Sequence, residues 1–408
     1  MQMGIVKGMW LEEQERGYSS NDDKSVCTNC FDEYGLKQFI EQHQTDTRCS
    51  YCEADEELVA CKLDSLIEHI LASIHIEWDH SADEGLPYES REGGWQVSTV
   101  YDTWELLDSI GLENVHGDAY EDICNSIHNQ EWCEKNPYSL STDRTLLYGW
   151  QKFSDFIKYK ARYVFFKAKN SDYDEYQHDE IDPVRILDAL EKIINEIGLV
   201  KEVNTETLIY RVRIVDQDTN LNTAKELGSP PYKFANMANR MSPAGIPMFY
   251  GAFDIQTAIK ETYEPSDTKK KAVSGVFQPV NTLSVIDLSE NLYIPSLFDE
   301  HKSKYRGYIK FLLDFIDDFT KPIERSDRAH VDYVPTQVVT EYFRHLFGSE
   351  NDTSIDGVIY PSSKNMGNRA IVIFADSDQC VESEESSIED AILKLVNIET
   401  HSLNEFQG

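Results

Sequence analysis

A chain of 408 residues with 40% hydrophobic and 11% aromatic side chains carries apolar material for about two or three domains at roughly 150 residues each, which excludes wholesale disorder. Its formal net charge of −35 sets up a field that repels polyanions, so nucleic acid and anionic membrane are disfavoured as general partners. There is no run of about 18 apolar residues, and the stretch Met1 to Glu15 turns acidic without an apolar centre; this predicts a cytoplasmic protein with no membrane span.

Eight cysteines are too sparse for a disulfide framework. Four of them form two knuckles, Cys27-Thr-Asn-Cys30 and Cys49-Ser-Tyr-Cys52, with 18 residues between them. Four thiolates delivered by two tight turns match tetrahedral Zn²⁺, and a structural role follows because no coordination position stays open for a substrate water. Redox-active pairs would need a thioredoxin-like βαβ pattern around them, and none is visible. Residues 1–62 therefore read as a zinc-binding module. The remaining Cys61, Cys124, Cys133 and Cys380 are scattered and read as small core or surface residues.

A helical domain is expected over 63–199. Leu63, Leu66, Ile67, Ile70, Leu71 and Ile74 recur at helical spacing with Asp64 as a cap, and Trp104, Leu106, Leu107 and Ile110 suggest a second amphipathic piece. Between Arg144 and Lys169 the aromatics Tyr148, Trp150, Phe153, Phe156, Tyr159, Tyr163, Phe165 and Phe166 predict a buried helix. The acidic run from Ser171 to Glu180 reads as a linker. Asp182-Pro183 then supplies an N-cap and a first-turn proline for a helix with Ile186, Leu190, Ile193, Ile194 and Ile197 on one face and Gly198 as its stop.

Around Val200 the pattern turns to β. In Leu208 to Val215 the period of two places Leu208, Tyr210, Val212 and Ile214 on one face and Arg211 with Arg213 on the other. Two arginines on one face of an apolar strand call for an anion, or else mark a solvated sheet face. Further on, Arg240 precedes the turn Ser242-Pro-Ala-Gly245, which feeds the short strand ending Tyr250-Gly-Ala and then a helix carrying Glu261. On that helix Ile255, Ala258, Ile259 and Thr262 set the apolar face, so Glu261 lies at its border. Asp356 to Tyr360 is a strand ending in the hydroxyl-rich Pro361-Ser362-Ser363, followed by a strand from Arg369 to Phe374. Residues 381–408 read as an acidic tail with a short helix from Ser387 to Asn397.

The blocks Tyr210-Arg211-Val, Asn239-Arg240-Met-Ser-Pro-Ala-Gly245, Phe249-Tyr250-Gly-Ala252, Thr257-Ala-Ile-Lys-Glu261, Asp332-Tyr-Val-Pro-Thr-Gln337 and Asp356-Gly-Val-Ile-Tyr-Pro-Ser362 occur in this order. In them the chain resembles the RES domain family, named for its Arg, Glu and Ser, over about Thr205 to Asp376; the domain is set at 200–380. The N-terminal part resembles the zinc-knuckled, HEPN-like helical domain that precedes some RES domains. The resemblance implies an α+β protein, a zinc ribbon and helical bundle followed by a mixed α/β, ADP-ribosyltransferase-like core. It also implies consumption of NAD⁺ at the nicotinamide–ribose bond. By position it makes Glu261 the catalytic carboxylate. Arg211 and Arg240 would grip phosphates or ribose, Tyr250 would stack on nicotinamide, Ser362 would orient the ribose (with Ser363 one residue away), and Tyr333 and Gln337 would assist.

Cleaving an N-glycosidic bond builds positive charge on the ribose C1′ and O4′, which a carboxylate stabilises most in the transition state. Arginine's planar fork suits phosphate oxygens. The leading expectation is an NAD⁺ glycohydrolase or phosphorylase acting as a toxin or phage-defence effector. The alternatives are an ADP-ribosyltransferase with a protein or small-molecule acceptor, and a non-enzymatic zinc-ribbon adapter. Phosphate, an antitoxin or trigger protein, and a second copy of the chain are the further partners to consider. The HEPN ribonuclease pattern, an arginine followed four to six residues later by histidine, is absent before residue 200, and Arg325-Ser-Asp-Arg-Ala-His330 fits it only formally. Ribonuclease activity is not expected.

Overall fold

The computed structural model describes residues 13–21, 23–52, 54–112, 117–167, 181–264, 271–321, 329–349 and 353–403. The linker expected at 171–180 and Arg325 lie outside the described residues. Two compact units form, one from Met1–Arg144 with Tyr293–Lys310, the other from Thr145–Leu292 with Phe311–Gly408.

In the first unit β1 (Ser25–Cys27) and β2 (Asp46–Arg48) flank β3 (Asp55–Lys62). Leu63, Leu66, Ile67, Ile70, Leu71 and Ile74 are all buried on the helix Leu63–Glu77, as their spacing requires. Asp64 is not its cap: Lys62 is the N-cap residue, and Asp64 sits in the first turn accepting from the Asn21 N–H at 2.7 Å. Smaller ladders pair β4 (Trp78–His80) with β7 (Trp132–Glu134) and β5 (Tyr88–Glu89) with β6 (Gly94–Trp95). One core joins Cys27, Cys61 and Leu66 to Leu106, Ile123 and Trp132, so no packing boundary falls at residue 62.

The segment Tyr293–Lys310, far along the chain, belongs to this unit through contacts no sequence period announces. A Cβ on Gly35 would come within 2.8 Å of the Phe298 backbone, so glycine is required for the helix Tyr34–Gln42 to meet it. His69 Nε2 donates to the Phe298 carbonyl at 2.9 Å, and Arg306 Nε to Glu77 at 2.6 Å.

The second unit is built on a nine-stranded sheet in the order β15-β16-β11-β9-β10-β14-β13-β12-β8. Its strands are β8 (Val200–Val203), β9 (Ile209–Val215), β10 (Phe249–Ala252), β11 (Lys271–Pro279), β12 (Leu283–Asp287), β13 (Gly357–Pro361), β14 (Arg369–Ile373), β15 (Cys380–Glu382) and β16 (Leu393–Ser402). The helix Ile186–Ile197 starts behind Asp182, which accepts from the Val184 N–H at 3.1 Å ahead of Pro183, and stops at Gly198 with φ 78°. On β9 Val212 and Ile214 pack against Ala258 and Ile259 of the helix Ile255–Thr262, while Ile209 joins Phe249 and Phe277 on the opposite face.

Two expectations are corrected here. The segment Ser387–Asn397 is no helix; its second half opens β16, where Leu393 and Leu395 are buried around Lys394 and the strand pairs along nine positions of β11. A long ladder outweighs the local helical spacing that Ile388, Ala391 and Leu395 offer. The aromatic run is half right. On the helix Thr142–Tyr159 Trp150 and Phe153 are buried, but Tyr148, Tyr159, Tyr163 and Phe166 are exposed, Tyr163 by 84%.

Candidate functional site

The sheet parts where β9 meets β10. Those strands share one registered pair, Tyr210 with Ala252, whereas β9 makes seven with β11 and β10 makes four with β14. A cavity of about 400 Å³ opens beside this split, lined by Arg211, Arg213, Ser242, Tyr250, Glu261 and Tyr360 among others. All of these residues belong to the second unit.

Arg211 is buried and donates from Nε to the Gly228 carbonyl at 3.0 Å and from Nη1 to the Tyr250 carbonyl at 2.7 Å. Arg213 donates from Nη2 to the same Gly228 carbonyl at 2.8 Å. Neither pairs with a carboxylate among the described residues. Burial, and then Arg213, push the Arg211 guanidinium down; burial does the same to Arg213. Both side chains nevertheless stay protonated, because arginine keeps its charge in proteins. A buried and a half-buried positive charge held by carbonyl oxygens can attract an anion.

Tyr250 and Ser242 bond through their hydroxyls at 2.9 Å. Burial pushes the Tyr250 phenol up to about 12 and raises that of Tyr360 as well, so both remain neutral and act only as hydrogen-bonding and stacking groups. Glu261 is then the sole carboxylate lining the cavity among the described residues. Its Oε1 accepts from Ser362 Oγ, and Ser362 Oγ in turn accepts from the Asn365 N–H at 3.0 Å. Asn365 Nδ2 donates to Thr257 Oγ1 at 2.7 Å, one turn back on the helix that carries Glu261. The carboxylate is thus fixed by the β13 terminus. Ser362 is buried and Ser363 exposed, so the hydroxyl that reaches Glu261 is that of Ser362.

Of the seven residues the sequence assigns to the site, Arg211, Tyr250 and Glu261 line this cavity, and Ser362 stands behind Glu261 rather than on the wall. Gln337 is not on the lining of this cavity; its Nε2 donates to the carbonyls of Asn239 at 2.8 Å and Ser242 at 3.3 Å, pinning the loop that leads to Tyr250. Arg240 donates to the Phe319 carbonyl at 3.2 Å and faces a second cavity of about 260 Å³ with Lys158, Asp318, Lys321 and Asp332. Tyr333 is the N-cap residue of the helix Val334–His345 and lines neither cavity. Arg213, Ser242 and Tyr360 were not assigned to the site. Arg213 was visible as the co-facial neighbour of Arg211, and Tyr360 stands two residues before Ser362 on one strand.

In the first unit the thiols of Cys27, Cys30, Cys49 and Cys52 lie within 4.8 Å of one another, with Cys27 and Cys52 at 3.3 Å and Cys30 and Cys49 at 3.7 Å. A tetrahedron with metal–sulfur bonds of about 2.3 Å has edges of about 3.8 Å, so this set could hold one metal ion. The Tyr51 N–H donates to Cys49 Sγ at 3.4 Å, as it would to a ligating thiolate.

Compared with known families, residues 42–171 match the HEPN/RES N-terminal domain 1 and residues 208–394 match the RES domain. The RES match runs past 380 into β16, consistent with that strand being part of the sheet. No curated protein and no solved structure matches the chain.

Proposed function

For this chain, a RES-domain protein with a HEPN/RES N-terminal domain, we propose an NAD⁺-degrading enzyme that breaks the nicotinamide–ribose bond by hydrolysis or phosphorolysis and serves as a toxin or defence effector. The RES domain implies an enzyme acting on NAD⁺ in general terms. The finer reading rests on one observation: a single serine-held carboxylate shares a cavity with two arginines, one buried and one half-buried, that have no carboxylate partner among the described residues.

Arg211 and Arg213 would take the pyrophosphate, which relieves the cost of their burial. Tyr250, neutral, half-buried and lining the cavity, would stack on nicotinamide. As the C1′–N bond breaks, its electron pair leaves with neutral nicotinamide and the ribose becomes oxocarbenium-like. Glu261 would stabilise that cation, and Ser362 would keep the carboxylate aimed at it. Water then bonds to C1′ and gives up a proton to solvent, or a phosphate oxygen anion bonds to C1′ directly. The four cysteines would hold a structural Zn²⁺, which supplies cross-linking of the N-terminal unit and no chemistry to the reaction.

Purified protein incubated with NAD⁺, with and without phosphate, tests the proposal. Release of nicotinamide with ADP-ribose, or with its 1″-phosphate when phosphate is present, supports it. Transfer of the ADP-ribosyl group to an added protein would move the assignment to a transferase. No nicotinamide release would overturn it.

A further inference from the structure

The arginine pair ties two chain segments together at the cavity. Arg211 holds the Tyr250 carbonyl, and both arginines hold the carbonyl of Gly228. From Gly228 the chain passes through Ser229 to Pro230, which lines the same cavity together with Phe234 and Met237. Phe234 is 65% exposed and Met237 69%, although both border a cavity. A large apolar side chain left in water at a cavity mouth gains free energy when a flat partner covers it.

The loop carrying these side chains is preorganised. Gly245 N–H donates to the Ala235 carbonyl at 2.7 Å, a closure that uses φ 92° at Gly245, and Gln337 fastens the Asn239 and Ser242 carbonyls. Lys233 Nζ sits 4.9 Å from the centroid of the Phe234 ring, placing a cation beside the mouth. With the pyrophosphate on Arg211 and Arg213 and nicotinamide toward Glu261, the segment that follows Gly228, with Pro230, Phe234 and Met237 on the cavity lining, offers an apolar surface to the other nucleoside.

We propose that Phe234 and Met237 form a stacking platform for the adenine base, so that this rim selects dinucleotides over mononucleotides. The assignment deepens the proposed function and shares its orientation of the substrate. An aromatic ring stacked on a base contributes about 1–3 kcal/mol, which corresponds to roughly 5- to 150-fold in affinity.

The test compares wild type, Phe234→Ala, Phe234→Trp and Met237→Ala on NAD⁺ and on nicotinamide mononucleotide, which has the reacting bond but no adenylate. Phe234→Ala is expected to raise KM for NAD⁺ about tenfold more than KM for the mononucleotide, with kcat for NAD⁺ within about threefold of wild type, and Phe234→Trp to restore it. Equal losses on both substrates, or none on NAD⁺, would overturn the platform. Should wild type release no nicotinamide at all, the catalytic assignment fails, and calorimetry with AMP decides this one separately. AMP binding weakened about tenfold by Phe234→Ala sustains it; absence of AMP binding, or binding indifferent to Phe234, ends it.

Discussion

Arg211 donates to the carbonyl of Tyr250 at 2.7 Å across the place where β9 and β10 part. The guanidinium spans the gap between the two strands and places a cation in the cavity beside it. Arg213 shares the Gly228 carbonyl but spans no gap. Arg211→Met is therefore expected to destabilise the protein by about 2–4 kcal/mol, because two buried carbonyls lose their donor or one of two donors. Arg213→Met should cost about 1 kcal/mol or less, since Arg211 still serves Gly228. Both should weaken ADP-ribose binding by more than about tenfold. Urea unfolding and calorimetry read the two effects apart; equal destabilisation by both variants would refute the bridging role.

Glu261 and the two adjacent serines give a graded prediction. Glu261→Gln keeps the size of the side chain and loses its charge, so turnover of NAD⁺ should fall about 10²–10³-fold with little change in melting temperature. Ser362→Ala removes the hydroxyl that holds Oε1 and should lower turnover by about tenfold, with the larger part in kcat. Ser363 is exposed, and Ser363→Ala should stay within about twofold of wild type. A Glu261→Gln protein with full turnover would remove this carboxylate from the mechanism.

The four-cysteine cluster predicts one metal ion per chain. Its thiols sit in the core that also holds Cys61, Leu66 and Trp132, so losing the ion should loosen the whole first unit rather than two turns of chain. Structural zinc sites of this kind contribute about 10–16 kcal/mol of apparent binding energy in small domains. Strong chelation or Cys30→Ser should therefore open residues 25–127 to limited proteolysis, and restored zinc should close them again in the wild type only. Elemental analysis of the purified chain without any bound metal would remove the site.

What was legible in the sequence was local. The cysteine knuckles, the Asp182-Pro183 start and Gly198 stop, and the alternation along β9 follow from spacing and backbone chemistry acting over a few residues. The family resemblance implies that Glu261 and Ser362 share a site, but the bond between these two residues, 101 apart, is visible only in the structure. What stayed hidden depends on tertiary packing. Leu393–Ser402 is a strand because β11 is there to pair with it, Tyr293–Lys310 leaves the sheet region to pack in the first unit, and Arg240 turns to Phe319 although its motif neighbours turn to the cavity. Burial of an aromatic run likewise depends on which face finds a partner, and Tyr163 and Phe166 stay exposed.

His69 predicts an acid sensitivity of the first unit. Its ring stacks on Phe39 with centroids 4.1 Å apart and 6° between planes, and its Nε2 donates to the Phe298 carbonyl at 2.9 Å. Burial pushes its pKa below the ordinary histidine value of 6.5, outweighing the hydrogen bond to Phe298. In the unfolded chain the ring takes up a proton near pH 6.5, whereas the folded ring resists until a lower pH. In that interval the unfolded state binds more protons, so stability falls as pH drops below about 6.5, while above it the residue is neutral in both states and contributes no slope. His69→Gln can keep a donor for Phe298 without titrating. With metal present throughout, wild type should lose more stability than His69→Gln between pH 7.5 and 5.5 in urea midpoints that follow the first unit, and parallel pH profiles for the two proteins would rule the histidine out as the source.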